Sequence, residues 1–295
     1  MRVQYQRLSD VIGAEVLNVD ISVPIEPAVF DQIRRIWLDH NIILFRDQPL
    51  NVEQQVDFSR LFGEIELHTL SKYHMKGHPE IFINSNIVED GVAIGAQKSG
   101  RVWHSDSQFL ERPSAATVLH AKEVPAEGGE TSYANMYQAY DNLSADKRRQ
   151  ITGLRGVYSR VKSWSIDYAH RGPLTREQEA TLPPVDHPIV RTHPETGRRA
   201  LYIGSLSELV EIIGVPAAQG ENLATELFNF AIQERHVYSH SWQAGDTIVW
   251  DNRCTMNRAM EYDEAKQRRL MHRTTIQGTR PFLSIDPLPA AESVS

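Results

Sequence analysis

Ile42-Ile43-Leu44-Phe45 is the stretch that most constrains how this chain can fold. Four apolar residues in a row are too few for a helix and show no polar alternation. Asp47-Gln48-Pro49 then stops the run, so the pattern predicts a short strand buried on both faces. Just before it, Pro27–His40 (PAVFDQIRRIWLDH) sets Val29, Phe30, Ile33, Ile36 and Trp37 at helical spacing. Just after it, Asn51 reads as a helix N-cap with Gln54 three residues on, and Val56, Phe58, Leu61 and Phe62 face inward. A buried strand between two amphipathic helices calls for a layered α+β arrangement.

The remaining pattern is richer in strands. Residues 1–25 read as short strands separated by turns, with Gly13 followed by apolar-polar alternation over 14–20. Ile81-Phe82-Ile83 is a second apolar run, and a polar loop is expected over 84–100. Residues 102–132 look strand-like, punctuated by Pro113, Pro125 and Gly128-Gly129. Helices are expected over 135–143, 145–154 and 222–233, and a proline-rich loop over 175–192. His193-Pro194-Glu195-Thr196-Gly197-Arg198 reads as a turn leading into the strand Ala200-Leu201-Tyr202-Ile203. Residues 236–282 are β-rich, and 286–295 form a Pro/Ala/Ser-rich tail expected to fray. Length alone, at about 150 residues per domain, suggests two domains. With no internal repeat and no Gly/Ser linker, however, 1–295 is expected to form one α+β domain with a mainly β core.

Composition narrows the function classes. The 31 Lys+Arg against 38 Asp+Glu give a net charge of −7, with no basic block to match a phosphate backbone. Nucleic-acid binding is therefore not expected. Cys254 is the single cysteine, which leaves no intramolecular disulfide and suits a reducing cytoplasm. The start, MRVQYQRLSDVIGAEV, has no apolar segment of the secretory type. No apolar run approaches the roughly 18 residues of a membrane span. The expectation is a soluble cytoplasmic protein, and its 12 histidines invite a search for metal chemistry.

Arg101-Val102-Trp103-His104-Ser105-Asp106-Ser107 is the most chemical segment. On an extended strand, His104 and Asp106 share a face and present an imidazole nitrogen and a carboxylate oxygen to one point. These are two of the three donors in the 2-His-1-carboxylate arrangement of non-heme iron oxygenases. In isolation the same pair also describes a surface contact or a local salt bridge. Further features raise the metal reading. Gly128-Gly129-Glu130-Thr131 offers a tight turn and a hydroxyl. Arg269 and Arg273 are even-spaced, so on a strand both point the same way. Two guanidiniums in one pocket require anions to meet them, whereas an exposed basic edge strand would not.

The chain resembles the taurine dioxygenase/2,4-dichlorophenoxyacetate dioxygenase family of Fe(II)- and 2-oxoglutarate-dependent oxygenases. The likeness runs through Gly13-Ala14-Glu15-Val16, Phe45-Arg46-Asp47-Gln48-Pro49-Leu50, Phe58-Ser59-Arg60-Leu61-Phe62-Gly63 and Trp103-His104-Ser105-Asp106. It continues through Gly128-Gly129-Glu130-Thr131, the His193 to Arg198 turn, Trp250-Asp251-Asn252-Arg253 and the stretch from Arg268 to Arg273. The resemblance implies a double-stranded β-helix (a cupin-like jelly roll) with helices outside. It implies His104 and Asp106 as metal ligands, Thr131 and Arg269 on the distal carboxylate of 2-oxoglutarate, and Arg273 facing the substrate. His68 and Lys72 fall where relatives line the substrate pocket. The implied reaction uses Fe(II), 2-oxoglutarate and O2 and hydroxylates a small anionic organic acid, of the aryloxyalkanoate or alkylsulfonate kind. Hydroxylation beside an ether oxygen or a sulfonate leads to C–O or C–S cleavage. Relatives are commonly oligomeric, so a homo-oligomer is expected.

At one position the chain departs from the family pattern. Asn252-Arg253-Cys254-Thr255-Met256-Asn257-Arg258 carries Asn257 where the family has its third ligand, a histidine. His240 lies too early to replace it, and His272 has the opposite strand parity to Arg269 and Arg273. An amide oxygen is a neutral donor, less suited to Fe(II) than imidazole nitrogen. Three readings are open. Asn257, or a water it orients, completes a weakened iron site; or the chain is an inactive or engineered variant that binds carboxylates without turnover; or the site takes another metal or runs other chemistry. Ser205-Leu206-Ser207 is a milder departure, standing where relatives acting on phenoxy acids often carry a histidine. Cys254 reads as a small buried residue, Trp103 and Trp250 as core aromatics, and Asp251 and Asn252 as turn formers.

Overall fold

The run Ile42–Phe45 forms a strand whose four residues are all fully buried. It pairs in parallel with Ala14–Leu17 and antiparallel with Thr247–Asp251, a partner some 200 positions away in the chain. The structure, a computed structural model, describes residues 2–284. The expected frayed tail, 286–295, lies outside those residues.

These strands belong to a nine-stranded sheet. Its order runs Gln4–Arg7, Ala14–Leu17, Ile42–Phe45, Thr247–Asp251, Ala116–Glu123, Leu270–Ile276, His78–Ser85 and His74–Met75, with Ile65–Glu66 also pairing with Leu270–Ile276. Strands from the two ends of the described chain therefore share one sheet. The helices Pro27–His40 and Val52–Arg60 cover its outer face, where Ile33, Ile36, Trp37 and Phe58 pack with Val118 and Val249. Rings tie the two helices together: Phe62 meets Phe30, Trp37 and Phe58 edge-on at centroid distances of 5.1, 5.3 and 5.4 Å. The Asn51 cap forms as a reciprocal box, with Gln54 N donating to Asn51 Oδ1 and Asn51 N to Gln54 Oε1, both at 2.8 Å.

A second layer is the three-stranded sheet Val237–His240, Thr131–Asn135 and Thr255–Ala259. Its inner face meets the large sheet through Tyr133 against Trp250, Leu119, Ile248 and Met271. Its outer face is covered by the helices Met136–Asp141 and Ala217–Ala231. The result is a sheet-dominated core with flanking helices, a cupin-like jelly roll.

Local details differ from the sequence expectations for physical reasons. Residues 102–115 are mostly turns rather than strand, and regular pairing begins only at Ala116–Glu123. His104 makes a single antiparallel bridge, and the chain then turns through Ser107 at φ 57°. The loop expected over 175–192 holds a short helix, Arg176–Ala180, started by a Thr175/Gln178 capping box, and two short strands. Pro188 is tolerated in one of these because Val185–Pro188 is an edge strand and lacks an obligatory inward donor there. The 84–100 loop contains a two-residue hairpin, Val88–Glu89 with Val92–Ala93. The late helix starts at Ala217, directly after Pro216, earlier than the apolar periodicity marks.

Candidate active site

His104 and Asn257 face each other across an antiparallel bridge. His104 N donates to the Asn257 carbonyl at 3.1 Å, and Asn257 N donates back to the His104 carbonyl at 2.8 Å. Directly opposed residues of such a pair send their side chains to the same face. That face lines a cavity shared with Asp106, Thr131, Arg269 and Arg273. The convergence joins a turn after a bridge, two strands of the small sheet and the last strand of the large one.

The imidazole of His104 is oriented by its own backbone: Nδ1–H donates to the Val102 carbonyl at 2.7 Å. This leaves Nε2 facing the cavity, 3.2 Å from Asp106 Oδ1. The other carboxylate oxygen, Oδ2, accepts from the Thr117 hydroxyl at 2.6 Å and lies 3.1 Å from Arg273 Nη2. Burial alone would raise the Asp106 pKa, but Arg273, His104 and Thr117 outweigh it and hold the carboxyl well below its usual range. Burial likewise works against a charged His104, yet Asp106 outweighs it and the imidazole pKa is raised. Thr117 is itself the end of a chain of donors. Trp250 Nε1 donates to Asn252 Oδ1 at 2.8 Å, and Asn252 Nδ2 donates to Thr117 Oγ1 at 3.0 Å. Asn252 is thus a link that aims a site carboxylate, not merely a turn former.

A second group of residues suits a carboxylate guest. The Thr131 hydroxyl accepts from Trp242 Nε1 at 2.9 Å, so its own hydrogen remains to be donated. Arg269 is pinned by its backbone, with N donating to Asn86 Oδ1 and O accepting from Ser85 Oγ, each at 2.8 Å. Its buried Nε has no hydrogen-bond partner, and no carboxylate pairs with the guanidinium among the described residues. Burial pushes its pKa down to about 10. A buried guanidinium without a counter-ion is costly, and an incoming carboxylate offsets that cost.

His68 stacks on Phe82 at 3.9 Å on the cavity wall. Burial, reinforced by Arg273 and Arg160, keeps its imidazole neutral, with a pKa well below the usual value. Lys72 is not brought to the cavity. It is exposed on the short turn Ser71–Tyr73, with its ammonium 4.8 Å from the Tyr73 ring. His272 and His240 stay out as well: His272 pairs across the sheet with His120, and His240 binds Asp246 at 3.0 Å. Leu206 packs against the helical core, and Cys254 is buried with its thiol pKa pushed up by burial. Trp250 is a core aromatic that also reaches the cavity wall, while Trp103 packs against the core. Asp251 is fully buried in an ion network with Arg253 at 2.7 Å and His193 at 2.9 Å, a role that a turn former does not have.

Among the lining residues that no sequence motif marks are two arginines, Arg160 and Arg171. Arg160 pairs with buried Glu208 at 3.0 Å and lies over the Phe109 ring. Arg171 donates to the Gln97 carbonyl at 2.7 Å and to Ser99 Oγ at 2.9 Å and sits over Tyr168. Its buried Nε has no partner, and no carboxylate pairs with it among the described residues. No motif surrounds either arginine. The Ser159 cap, whose hydroxyl accepts from Lys162 N, was the one local signal of the helix Arg160–Asp167 that begins at Arg160.

Whether these residues suit a metal turns on the donors. Among the described residues, no three His, Cys, Asp or Glu side chains come together as a metal set. His104 and Asp106 are joined instead by the amide of Asn257, whose buried Nδ2 has no partner. The two ends of an amide are assigned from their surroundings, so either end can be turned to the cavity. The donor set, one imidazole, one carboxylate and one unsatisfied amide, fits a divalent cation with a weakened third position.

The family model of the taurine catabolism dioxygenase TauD, TfdA family matches residues 4–275. The chain belongs to this family. It is similar to the alpha-ketoglutarate-dependent 2,4-dichlorophenoxyacetate dioxygenase of Cupriavidus pinatubonensis, 33% identical over 292 residues, covering 94% of this chain and 98% of that one. It is also similar to the (S)-phenoxypropionate/alpha-ketoglutarate-dioxygenase of Sphingobium herbicidovorans, 31% identical over 279 residues, covering 90% and 92%. Among solved structures, AAD-2 in complex with Mn(II) and N-oxalylglycine superposes with a TM-score of 0.80 at 29% identity, covering 95% of this chain and 99% of that one. N-oxalylglycine is an analogue of 2-oxoglutarate. As a TauD/TfdA family member the chain is an enzyme, a dioxygenase whose cofactor set is Fe(II), 2-oxoglutarate and O2.

Proposed function

We propose that this enzyme hydroxylates a small anionic organic acid of the aryloxyalkanoate or alkylsulfonate kind, with C–O or C–S cleavage where the hydroxylated carbon bears oxygen or sulfur. The observation that carries the proposal is the buried, unpartnered Arg269 Nε beside Thr131, in the same cavity as His104 and Asp106. His104, Asp106 and Asn257 would hold the metal, and Thr131 with Arg269 would hold the distal carboxylate of 2-oxoglutarate. When bound, Fe(II) couples the decarboxylation of 2-oxoglutarate by O2, giving succinate and CO2, to insertion of an oxygen atom into a substrate C–H bond.

The chain's own contribution is positioning. Thr117, oriented by Asn252, fixes the Asp106 carboxylate and leaves Oδ1 toward His104. The Val102 carbonyl fixes the His104 tautomer. Arg273, His68 and the unpaired cation of Arg171 would select an acidic substrate and set its distance from the metal-binding wall. The reading takes the chain as one domain, supported by the sheet that joins its first and last described strands. It places the enzyme in the cytoplasm, supported by the unpaired, buried Cys254, and as a homo-oligomer on the family likeness. Among the described residues no helix is long and apolar enough to cross a membrane.

Succinate release with a panel of aryloxyacetates, aryloxypropionates and alkylsulfonates tests the proposal. Substrate-stimulated succinate formation from 2-oxoglutarate is the expected result. The absence of 2-oxoglutarate turnover above that of free iron would overturn it.

A further inference from the structure

We propose that Asn257 makes metal capture conditional on the co-substrate, so that metal and 2-oxoglutarate bind as a coupled pair instead of metal first. The inference rests on the reading of the cavity given above and goes beyond it to the energetics of loading.

Three observations combine. First, the wall around His104 offers a cation one imidazole nitrogen, one carboxylate and one neutral amide, and among the described residues nothing else of metal-ligating type joins them. Second, the carboxylate is already engaged. Asp106 Oδ2 is taken by Thr117 at 2.6 Å and by Arg273 at 3.1 Å, so only Oδ1 is turned to the cation position. The Arg273 guanidinium also repels an incoming divalent ion. Third, the seat for the co-substrate's far carboxylate needs no metal to form, because Arg269 is held by Asn86 and Ser85 and its Nε is unpartnered.

A 2-oxoacid brings a carboxylate oxygen and a keto oxygen that close a five-membered chelate. In a site with three strong protein donors the chelate adds to an affinity that is already adequate. Here it supplies the negative charge and strong donors that the amide does not. Each partner must then tighten the other by the same factor, since coupling between two sites is reciprocal. The Asn257 backbone is pinned to His104 by two hydrogen bonds, so the position of its Cα on the wall is fixed and a substitution there chiefly reads the donor.

Titration of the full-length chain with Mn(II), following the free aqua ion by electron paramagnetic resonance with and without N-oxalylglycine, tests this without any turnover. Saturating N-oxalylglycine is expected to tighten Mn(II) by about tenfold or more, a size typical of coupled sites. Asn257→His, and independently the near-isosteric Asn257→Asp, are expected to bind Mn(II) tightly alone and to show a smaller coupling factor. Equal Mn(II) affinity with and without N-oxalylglycine would overturn the inference and leave the proposed function standing. So would two folded variants whose affinity for Mn(II) alone is unchanged. Failure of the wild type and both variants to bind Mn(II), with N-oxalylglycine present, would overturn the metal-site reading as well.

Discussion

His104 and Asn257 are held directly opposite each other by two main-chain hydrogen bonds, of 3.1 and 2.8 Å, so the residue that the family likeness marks as the third ligand position stands across from the one it marks as the first. If these residues hold the metal as proposed, the asparagine acts at a place already assembled by the backbone, and the weakness it brings is one of donor chemistry.

Arg269 is expected to be the main anchor for 2-oxoglutarate. Arg269→Gln removes the charge and leaves the guest carboxylate facing a neutral amide in a buried pocket. Losing one partner of a buried charge pair costs about 2–5 kcal/mol. The dissociation constant for N-oxalylglycine, measured calorimetrically with Mn(II) present, should rise at least tenfold, which about 1.4 kcal/mol already produces. An unchanged constant would remove Arg269 from the site.

Arg171 should behave differently. Its guanidinium is held by Gln97 and Ser99 over the Tyr168 ring and meets no carboxylate among the described residues. Arg171→Gln is expected to raise KM for the anionic substrate with little change in KM for 2-oxoglutarate. Steady-state kinetics with each substrate varied in turn separates the two effects, and parallel changes in both would argue against a substrate role.

Thr117 links Asn252 to Asp106 through contacts of 3.0 and 2.6 Å. Thr117→Val keeps the shape and removes the hydroxyl, leaving Asn252 Nδ2 without its acceptor and Asp106 without one donor. About 1–3 kcal/mol of stability should be lost, the usual cost of stranding a buried polar group. Succinate formation should fall as Asp106 loses its orientation. Urea unfolding gives the first quantity and succinate release the second.

Asp251 offers a control away from the cavity. It accepts from Arg253 N, Nε and Nη2 and from His193 Nε2, all at 2.7–2.9 Å. Glu195 extends the network to Arg34 on the helix Pro27–His40. Asp251→Ala leaves the buried Arg253 guanidinium with Glu195 alone and the His193 Nε2–H without its acceptor, and should cost about 3–5 kcal/mol. KM for 2-oxoglutarate should stay near the wild-type value in the protein that remains folded.

Acid should destabilise the fold from about pH 6.5 downward, through its buried histidines. His120, His187 and His272 are buried, and burial lowers each pKa from 6.5 to about 4. Lys122 adds to the effect at His120 and His272. Between pH 6.5 and 4 the unfolded chain takes up protons at these positions and the folded chain does not. Stability therefore falls as pH drops through that window, by about 1.4 kcal/mol per pH unit for each histidine. Thermal unfolding at pH 7.5, 6 and 5 checks the slope, and His187→Gln should flatten it.

Much of the site can be read along the chain. The His104/Asp106 pair, the Thr131 turn, the two arginines and the departure at Asn257 are all local strings whose residue types carry their own chemistry. The two early helices, the buried strand between them and the Asn51 cap follow from periodicity and capping, which act over a few residues. Lys72 lies off the cavity, because sequence adjacency to a pocket segment says nothing about which way a short turn faces. Asp251 reads as a turn former along the chain because His193, which meets it, and Glu195, which shares its Arg253, are each 58 positions away from their partner in the network.

What the sequence alone determined is the set of donors, the short-range elements that carry them and the family they mark. Only the tertiary structure decided that His104 opposes Asn257, that Arg273 rests on Asp106 and that Arg171 enters the same cavity. The physical reason is range. Backbone propensities and side-chain parity are set within a few residues, whereas convergence depends on the register of strands paired across most of the chain, and on which buried charges find partners when the sheets close.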